Sequence, residues 1–542
     1  MFQSIALRDL PMTSALLADC WEGASRFRSL VPRHLGDPRS FGELARLLEA
    51  RRYDRAGLAQ VLTEQNQAFG AGAEALRAAG RLRDPSAVIV VTGQQAGLFG
   101  GPLYTVNKAL TVLGLAARLE SQLGRPVVPV FWIASEDGDL AEVDRASILD
   151  REGNIQELRL PGDEGARMPV SLVRLGEEVR ELLSATSAFL PETGYTEEML
   201  SDLRSAYAPG RSYPQAFGAW MASLFQGRPL VLLDPSDTRL KRMAAGLFRR
   251  EILEGSPVSL AVREQTAAVQ KAGYPAQIEL RDGLLTLFYQ NPARESLASW
   301  AEGWEIKDKN HRFRSAELAD LADREPERLS PNAVLRPLFQ DTILPTVAVV
   351  LGPAELAYWT QLPLAYQRFG IPMPVLVPRA SLTVIDARMH KLLGRLELTL
   401  PDLLRRGERV LDDLVRRRIP PETFERLADA RGQVGRLWEP IIADANRLDP
   451  TLKPTASLAS ARALRQIDWV EKKLVQAARR KDELLRRQVH QVVSALAPRG
   501  GLQERTLTVL PFLARAGRGL LDQMEAAVDP FAPEHRAVVL ES

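Results

Sequence analysis

The chain is poor in the side chains that most often carry thiol or metal chemistry: among 542 residues there are one cysteine, Cys20, and five histidines. A single cysteine excludes an intrachain disulfide and a cysteine-based zinc site. His34, His311, His390, His490 and His535 are scattered without ligand spacing, so each reads as a core or surface residue, and no tightly bound metal is expected. A Cys–His nucleophile pair built on Cys20 has no supporting motif. No apolar run approaches a membrane span, and the opening MFQSIALRDLPMTS lacks a basic-then-apolar signal pattern, so a cytoplasmic location is expected. An excess of one charge is missing too: 70 Lys and Arg against 68 Asp and Glu leave a formal net charge of +2, which by itself argues for no membrane or nucleic-acid partner. Basic residues do gather in the C-terminal third, at Arg405, Arg406, Arg416, Arg417, Arg418, Lys472 and Lys473 among others. Interleaved acids make that a solvated helical face, on which an anion could also dock.

What is present is organised around Val88–Lys108, VIVVTGQQAGLFGGPLYTVNK. Its apolar opening reads as a buried parallel strand. Gly93, Gly97, Gly100 and Gly101 then free the backbone to turn and to approach a ligand, and Pro102 suits the start of a helix from Leu103 to Glu120. Strand, glycine turn and helix start together make a site for an anion, with Gln94, Gln95, Tyr104, Thr105 and Lys108 as polar groups on the same loop. The competing reading is a glycine-rich loop that merely turns.

At this length the chain should divide into two to four substructures, and 45% hydrophobic with 25% charged residues is a globular composition. Residues up to about Arg83 read as helical, including Phe41–Arg52 and Ala56–Ala79, and should pack outside the sheet. Val127–Ala134 is a second buried strand, completing a βαβ unit. It runs into SEDGDLAEVD, placing Glu136, Asp137, Asp139 and Glu142 just past a strand's C-terminal end, where open α/β sheets bind ligands. Glu136, Asp137 and Asp139 could grip an amine, hold magnesium or act as a base, whereas Glu142 reads as a capping residue. Pieces like a hairpin from Ser147 to Pro161 and helices at Leu172–Ala188 and Thr196–Ala208 form a first insertion. A third strand, Pro229–Leu233, ends in Asp234-Pro235-Ser236-Asp237, equally readable as cap or ligand site. After a helical Arg239–Ala272, QIEL and LLTLFYQ flank Arg281-Asp282-Gly283 as a hairpin in a second, mostly antiparallel insertion. Asn332, Arg336 and Gln340 then share a helix face. Residues 346–352 form a fourth strand ending at Gly352, with Glu355 and Trp359 on one face of the next helix. The fifth, Val375–Val377, leads into PRASLT. Arg379 there is the best placed cation for an anionic group, with Ser381 and Thr383 beside it at the start of a helix. Five short buried strands ending in polar loops make a doubly wound parallel sheet, α/β in class.

Beyond Leu382 nothing resembles a strand. Phe424–Leu448 and Thr451–Leu496 are long helical stretches joined across Asp449-Pro450. Ile467, Val470, Leu474, Ala477, Lys481 and Leu484 keep a heptad seam with one polar interruption. An antiparallel coiled coil is expected, and with it a homodimer. The divisions expected are a sheet core at 1–146, 213–272 and 331–400, insertions at 147–212 and 273–330, and a helical domain at 401–542.

VTGQQAGLFGGPLYTVNK, PVFWIASEDGDLAEVD, RPLFQDTILPTVAVVLGPAELAYW and VPRASLT, in this order, resemble the cysteine ligase (BshC) family of bacillithiol biosynthesis, over nearly the whole chain. The resemblance implies a Rossmann-like core related to nucleotidylyltransferases and class I aminoacyl-tRNA synthetases, two connecting-peptide insertions and a dimerising coiled coil. It implies addition of cysteine to glucosaminyl-malate, the last step of bacillithiol synthesis. Gly93–Thr105 would occupy the place of the synthetases' first nucleotide signature and PRASLT that of the second, although neither signature is literally present. The family pattern has a histidine between its acids, where this chain carries Gly138.

Amide formation needs an activated carboxyl and a neutral amine. ATP or another nucleotide, with magnesium, is a possible cosubstrate at Gly93–Gly101 and the helix start. Arg379 and Lys108 would offset anionic charge, including the malate of the acceptor. Glu136, Asp137 and Asp139 would hold the amine or take its proton, while Asn332, Arg336, Glu355 and Trp359 shape the pocket. The rival readings are a nucleotidyl transferase for another small amine, and a nucleotide-binding scaffold with a protein or RNA partner on its basic helices. Polar clusters at several strand ends argue against the scaffold.

Overall fold

A computed structural model describes residues 2–161, 168–307 and 309–540. The expected insertions at 147–212 and 273–330 therefore include stretches, 162–167 and Asp308, that lie outside the described residues. The chain divides into two units: residues 1–151, 155–387 and 501–542 form the first, and 152–154 with 388–500 the second.

The first unit is built on five parallel strands: β1 (Val88–Gln94), β2 (Val127–Ile133), β3 (Val231–Leu233), β4 (Thr346–Leu351) and β5 (Val375–Pro378). Their order across the sheet is β5-β4-β1-β2-β3, every neighbouring pair parallel, with β1 at the centre. Continuous runs such as VVPVFWI and TVAVVL are buried at every position, as a sheet covered on both faces requires. The crossover from β1 to β2 is the helix Tyr104–Leu123, stopped by Gly124 in the left-handed region. After the strand Phe2–Ala6 the N-terminal segment is helical, as expected, but Gly70 splits its second stretch into Arg55–Phe69 and Ala73–Gly80.

Two expectations about strands fail. Ser381–Ile385 is a strand, not a helix start, and it pairs in parallel with Glu534–Val539, which pairs antiparallel with Phe2–Ala6. These three short segments lie at opposite ends of the chain, so no local pattern announces the second sheet. QIEL does not pair with LLTLFYQ: Leu284–Asn291 pairs with Ala293–Trp300, while the Gln277 and Ile278 amides both donate to Gln361 Oε1 at 3.0 Å. That leaves 277–280 free to line a cavity rather than a ladder. By compactness of the chain, the helical unit starts at Arg388 and residues 501–540 group with the sheet unit. The Arg239–Ala272 stretch also divides, into helices Thr238–Met243, Ala245–Leu253 and Pro257–Lys271.

The second unit is helical. Pro421–Leu448 and Lys453–Lys481 run antiparallel across the 449–452 link, tied by ion pairs such as Arg431–Asp468 at 2.9 Å. The second helix does not run on to Leu496: Asp482 breaks it and caps Glu483–Leu496, accepting from the Leu485 amide at 2.9 Å. The expected seam is not the one covered within the chain. Val475 is buried, while Val470, Leu474 and Leu484 are exposed, as are Leu437, Ile441 and Trp469.

Candidate active site

The C-terminal ends of β1, β2, β4 and β5 open on one cavity of about 760 Å³. This is the rim where parallel α/β sheets bind ligands. From β1 come Gly93, Gln94 and Gln95, and from the following helix Tyr104 and Lys108. The segment after β2 supplies Glu136, Asp137 and Glu142. Asn332 and Arg336 precede and open the Arg336–Ile343 helix, Gly352 and Glu355 follow β4, and Arg379 follows β5. Sequence reasoning therefore placed twelve of its nineteen site residues on one rim: Gly93, Gln94, Gln95, Tyr104, Lys108, Glu136, Asp137, Asn332, Arg336, Gly352, Glu355 and Arg379.

The other seven lie elsewhere. Gly97, Gly101 and Thr105 are buried behind the rim. The glycine turn packs under the first insertion: the Gly100 amide donates to the Tyr207 hydroxyl at 3.1 Å, and that hydroxyl donates to the Gly97 carbonyl at 3.1 Å. Gly100 sits at φ +90, and a Cβ there would stand 2.8 Å from Trp220 Nε1, so glycine is required by packing. The amides of Gly97, Gly101, Leu103 and Thr105 donate to the carbonyls of Gln95, Leu98, Leu507 and Pro102. These amides are taken up within the fold and are not open to an anion. Asp139 is exposed ahead of the short helix Leu140–Val143 and does not line the cavity, whereas Glu142, read as a cap, does. Trp359 is fully buried beside Tyr366, and its neighbour Tyr358 takes the cavity position, since three residues beyond Glu355 shares its face as well as four. Ser381 and Thr383 belong to the second sheet. Of the Asp234–Asp237 cluster only Pro235 reaches the cavity, and Asp237 caps the Thr238–Met243 helix.

The charges of the site are mostly matched in pairs. Lys108 Nζ lies 2.5 Å from Glu355 and also donates to the Gly93 carbonyl at 2.7 Å and Gln94 Oε1 at 2.9 Å. Burial pulls its ammonium below the ordinary lysine range, and Glu355 offsets that in part. Glu136 is matched by buried Lys241 at 2.5 Å. Asp137 accepts from Gln95 Nε2 at 2.7 Å and faces Arg294 at 3.6 Å. Gln95 Nε2 also bonds Glu142. Arg294, from the second insertion, stacks on Phe288 at 4.3 Å, and burial lowers its pKa.

Arg379 is held from the far end of the chain. Its Nη2 lies 2.6 Å from Glu504, and its guanidinium stands 5.5 Å from the Tyr104 ring centre. Glu504 is fully buried and also accepts from Asn107 Nδ2 at 2.6 Å, Ser381 Oγ at 3.1 Å and the Leu382 amide at 3.0 Å. Burial would raise this carboxyl, but Arg379 and the hydrogen bonds hold it below the usual range. His535 Nδ1 meets Ser381 Oγ at 2.8 Å and its Nε2 meets Thr383 Oγ1 at 2.9 Å, and burial pushes its pKa down to about 4. With the Ser381 proton on Glu504, Nδ1 donates to Ser381 and Nε2 accepts from Thr383.

Two lining cations stand apart. Arg336 Nη1 donates to Gln340 Oε1 at 3.1 Å and Nη2 to the Tyr358 hydroxyl at 3.2 Å, both neutral partners. Arg505 is an exposed residue of the cavity wall. Among the described residues neither forms an ion pair with a carboxylate. Nor, among them, do three His, Cys, Asp or Glu side chains converge to hold a metal ion. Sequence reasoning missed Lys241, Arg294, Tyr358, Glu504 and Arg505. Of these only Tyr358 carried a local signal, the helix face it shares with Glu355.

Comparison with known proteins agrees across the chain. Residues 3–380 match the family "Bacillithiol biosynthesis BshC, N-terminal Rossmann-like domain" and 382–540 the family "Bacillithiol biosynthesis BshC, C-terminal coiled-coil domain". A protein of Koribacter versatilis named "Putative cysteine ligase BshC" is 33% identical over 98% of this chain and 99% of its own. Proteins of the same name from Symbiobacterium thermophilum and Bacillus licheniformis are 34% and 30% identical, covering 90% and 91% of this chain and 90% and 92% of theirs. A solved structure titled a putative arginyl tRNA synthetase, from Campylobacter jejuni, covers 86% of this chain and 100% of its own at 11% identity, but its TM-score of 0.21 is too low to bear on the fold. No helix among the described residues is long and apolar enough to cross a membrane.

Proposed function

This chain belongs to the BshC family of bacillithiol biosynthesis, whose members are named cysteine ligases, and from that premise we propose that its cavity joins the carboxyl of cysteine to the amine of glucosaminyl-malate. The observation that carries the assignment of roles is the distribution of charge on one rim. Arg336 and Arg505 line it as cations with no ion pair among the described residues, and Asp137 and Glu142 are carboxylates gathered on Gln95. A dicarboxylate such as malate suits the first and an ammonium group the second. Asp137 or Glu142 takes a proton from the ammonium, so that the nitrogen lone pair is free to attack the acyl carbon. The C–N bond then forms as the acyl leaving group departs. Lys108 and Arg379, each already paired with a carboxylate, hold the rim in shape.

A carboxylate and an amine at neutral pH form a salt, so the acyl group must be activated. ATP or another nucleotide, with magnesium, in the cytoplasm, is the co-reactant class we put forward. Several amides of the glycine turn, those of Gly97, Gly100, Gly101 and Thr105, are bonded within the fold, and no step is derived there. Incubation with cysteine, glucosaminyl-malate, ATP and magnesium should give the amide by mass spectrometry, with AMP or ADP naming the activation. Asp137→Asn should lower turnover at least tenfold. Full turnover in Asp137→Asn and Glu142→Gln alike would remove the base assignment.

The exposed apolar residues of the helical unit support a homodimer, with a second copy covering Leu437, Ile441 and Trp469. Sedimentation of Leu437→Glu/Trp469→Glu should report a monomer where the parent is a dimer.

A further inference from the structure

Arg336 is tied to a carboxylate without touching it. One helical turn beyond it, Gln340 receives its Nη1–H on Oε1 at 3.1 Å and donates from Nε2 to Asp341 Oδ1 at 2.9 Å. The Tyr366 hydroxyl donates to Asp341 Oδ2 at 2.5 Å. Gln340, Asp341 and Tyr366 are almost wholly buried, at 1%, 2% and 1% exposure.

A glutamine amide can face either way, and here its direction is forced from both ends. An ionised carboxylate only accepts, and a guanidinium only donates. Asp341 therefore takes the NH₂ side, which turns the carbonyl side to Arg336. The flipped amide would set two donors against each other. The amide also does what a direct carboxylate could not: it fixes the guanidinium plane and leaves its charge unpaired. Lys108, Lys241 and Arg379 all have carboxylates at 2.5 to 2.6 Å, and their charge is largely spent on them.

We infer that Gln340 and Asp341 are positioning residues, an amide relay that holds Arg336 as a receptor for the carboxylates of the acceptor substrate. The inference rests on the proposal that the acidic acceptor docks at Arg336. Tyr366 anchors the far end by fixing Asp341.

Steady-state kinetics with each substrate varied in turn tests the relay, alongside thermal midpoints for every variant. Gln340→Glu sets a carboxylate directly on Arg336, and should raise KM for glucosaminyl-malate about tenfold or more while KM for cysteine stays within twofold. Gln340→Met removes the constraint and should raise the same KM several-fold. Asp341→Asn, which can donate or accept, should fall between. Arg336→Ala is the reference. If it leaves KM for glucosaminyl-malate unchanged, the docking assignment itself is wrong. If Arg336→Ala raises that KM but the folded Gln340 and Asp341 variants match the parent, the relay is overturned. Equal changes in both KM values would also overturn it, as a merely structural effect. Should Gln340→Glu lose its thermal transition, Gln340→Met decides.

Discussion

Two arginines lining one cavity are held by opposite means. Arg379 is clamped by a fully buried carboxylate at 2.6 Å, and Arg336 leans on a neutral amide at 3.1 Å. A buried ion pair with satisfied hydrogen bonds is rigid and electrically closed. An amide contact is equally directional but leaves the cation open to a ligand. The contrast teaches that a lining cation is not thereby a binding cation. Arg379 looked best placed for an anion because it follows a core strand, yet the fold supplies its counter-ion from 125 residues downstream of it, at Glu504.

The hardest way to break this contrast is to remove the buried partner of Arg379. Glu504→Ala strands the Arg379 guanidinium in a buried setting and leaves Asn107, Ser381 and the Leu382 amide without their acceptor. Removing one partner of a buried pair costs about 3–5 kcal/mol. The thermal midpoint should fall by many degrees, with activity lost. Arg336→Ala should leave the midpoint nearly unchanged. Equal midpoint losses for the two variants would erase the distinction.

A smaller effect follows from His535, which backs Glu504 through Ser381. Its pKa is near 4 folded against an ordinary 6.5, because burial disfavours the imidazolium. Between these values the unfolded chain binds the proton and the folded chain does not. The stabilisation is therefore complete above pH 6.5 and is lost as pH falls toward 4, about 3 kcal/mol over the window. Asp341 acts with the opposite sign: burial raises its carboxyl to about 6, so its neutral form favours the fold at low pH. Comparing variants isolates each group. His535→Gln should be less stable than the parent at pH 7, with the gap closing toward pH 4.5, as read by denaturant midpoints. A gap that stays constant with pH would mean that His535 does not titrate in this window.

Much of the sheet unit was legible because parallel strands buried on both faces need continuous apolar runs, and VIVV, VVPVFWI and TVAVVL are such runs. The rim was legible for the same reason: polar residues directly after those runs must sit at strand ends. What stayed hidden depends on pairing at long range. Ser381–Ile385 becomes a strand only because Glu534–Val539 lies beside it, and Glu504 and Arg505 have no motif around them. Arg294 reaches the cavity from a strand with weak propensity, RESLASW. The glycine turn misled for a different reason. Glycines that permit close approach to a ligand also permit close approach to a tryptophan, and here Trp220 takes the space.

The smallest effect concerns the lining cations without ion pairs. Arg505 is exposed and Arg336 is half-buried, and among the described residues neither forms an ion pair with a carboxylate. Exposed charges interact through water and are screened within about 10 Å at 0.1 M salt, whereas a partly enclosed guanidinium is screened less. Arg505→Ala should therefore leave the thermal midpoint alone and raise KM for glucosaminyl-malate only about threefold at low salt. Near 1 M salt, where the screening length falls to about 3 Å, parent and variant should converge. The Arg336→Ala defect should persist there, because its contact with the substrate is made at hydrogen-bond range. Convergence of Arg336→Ala with the parent at high salt would show that both arginines act only through their field, attracting the acceptor without orienting it.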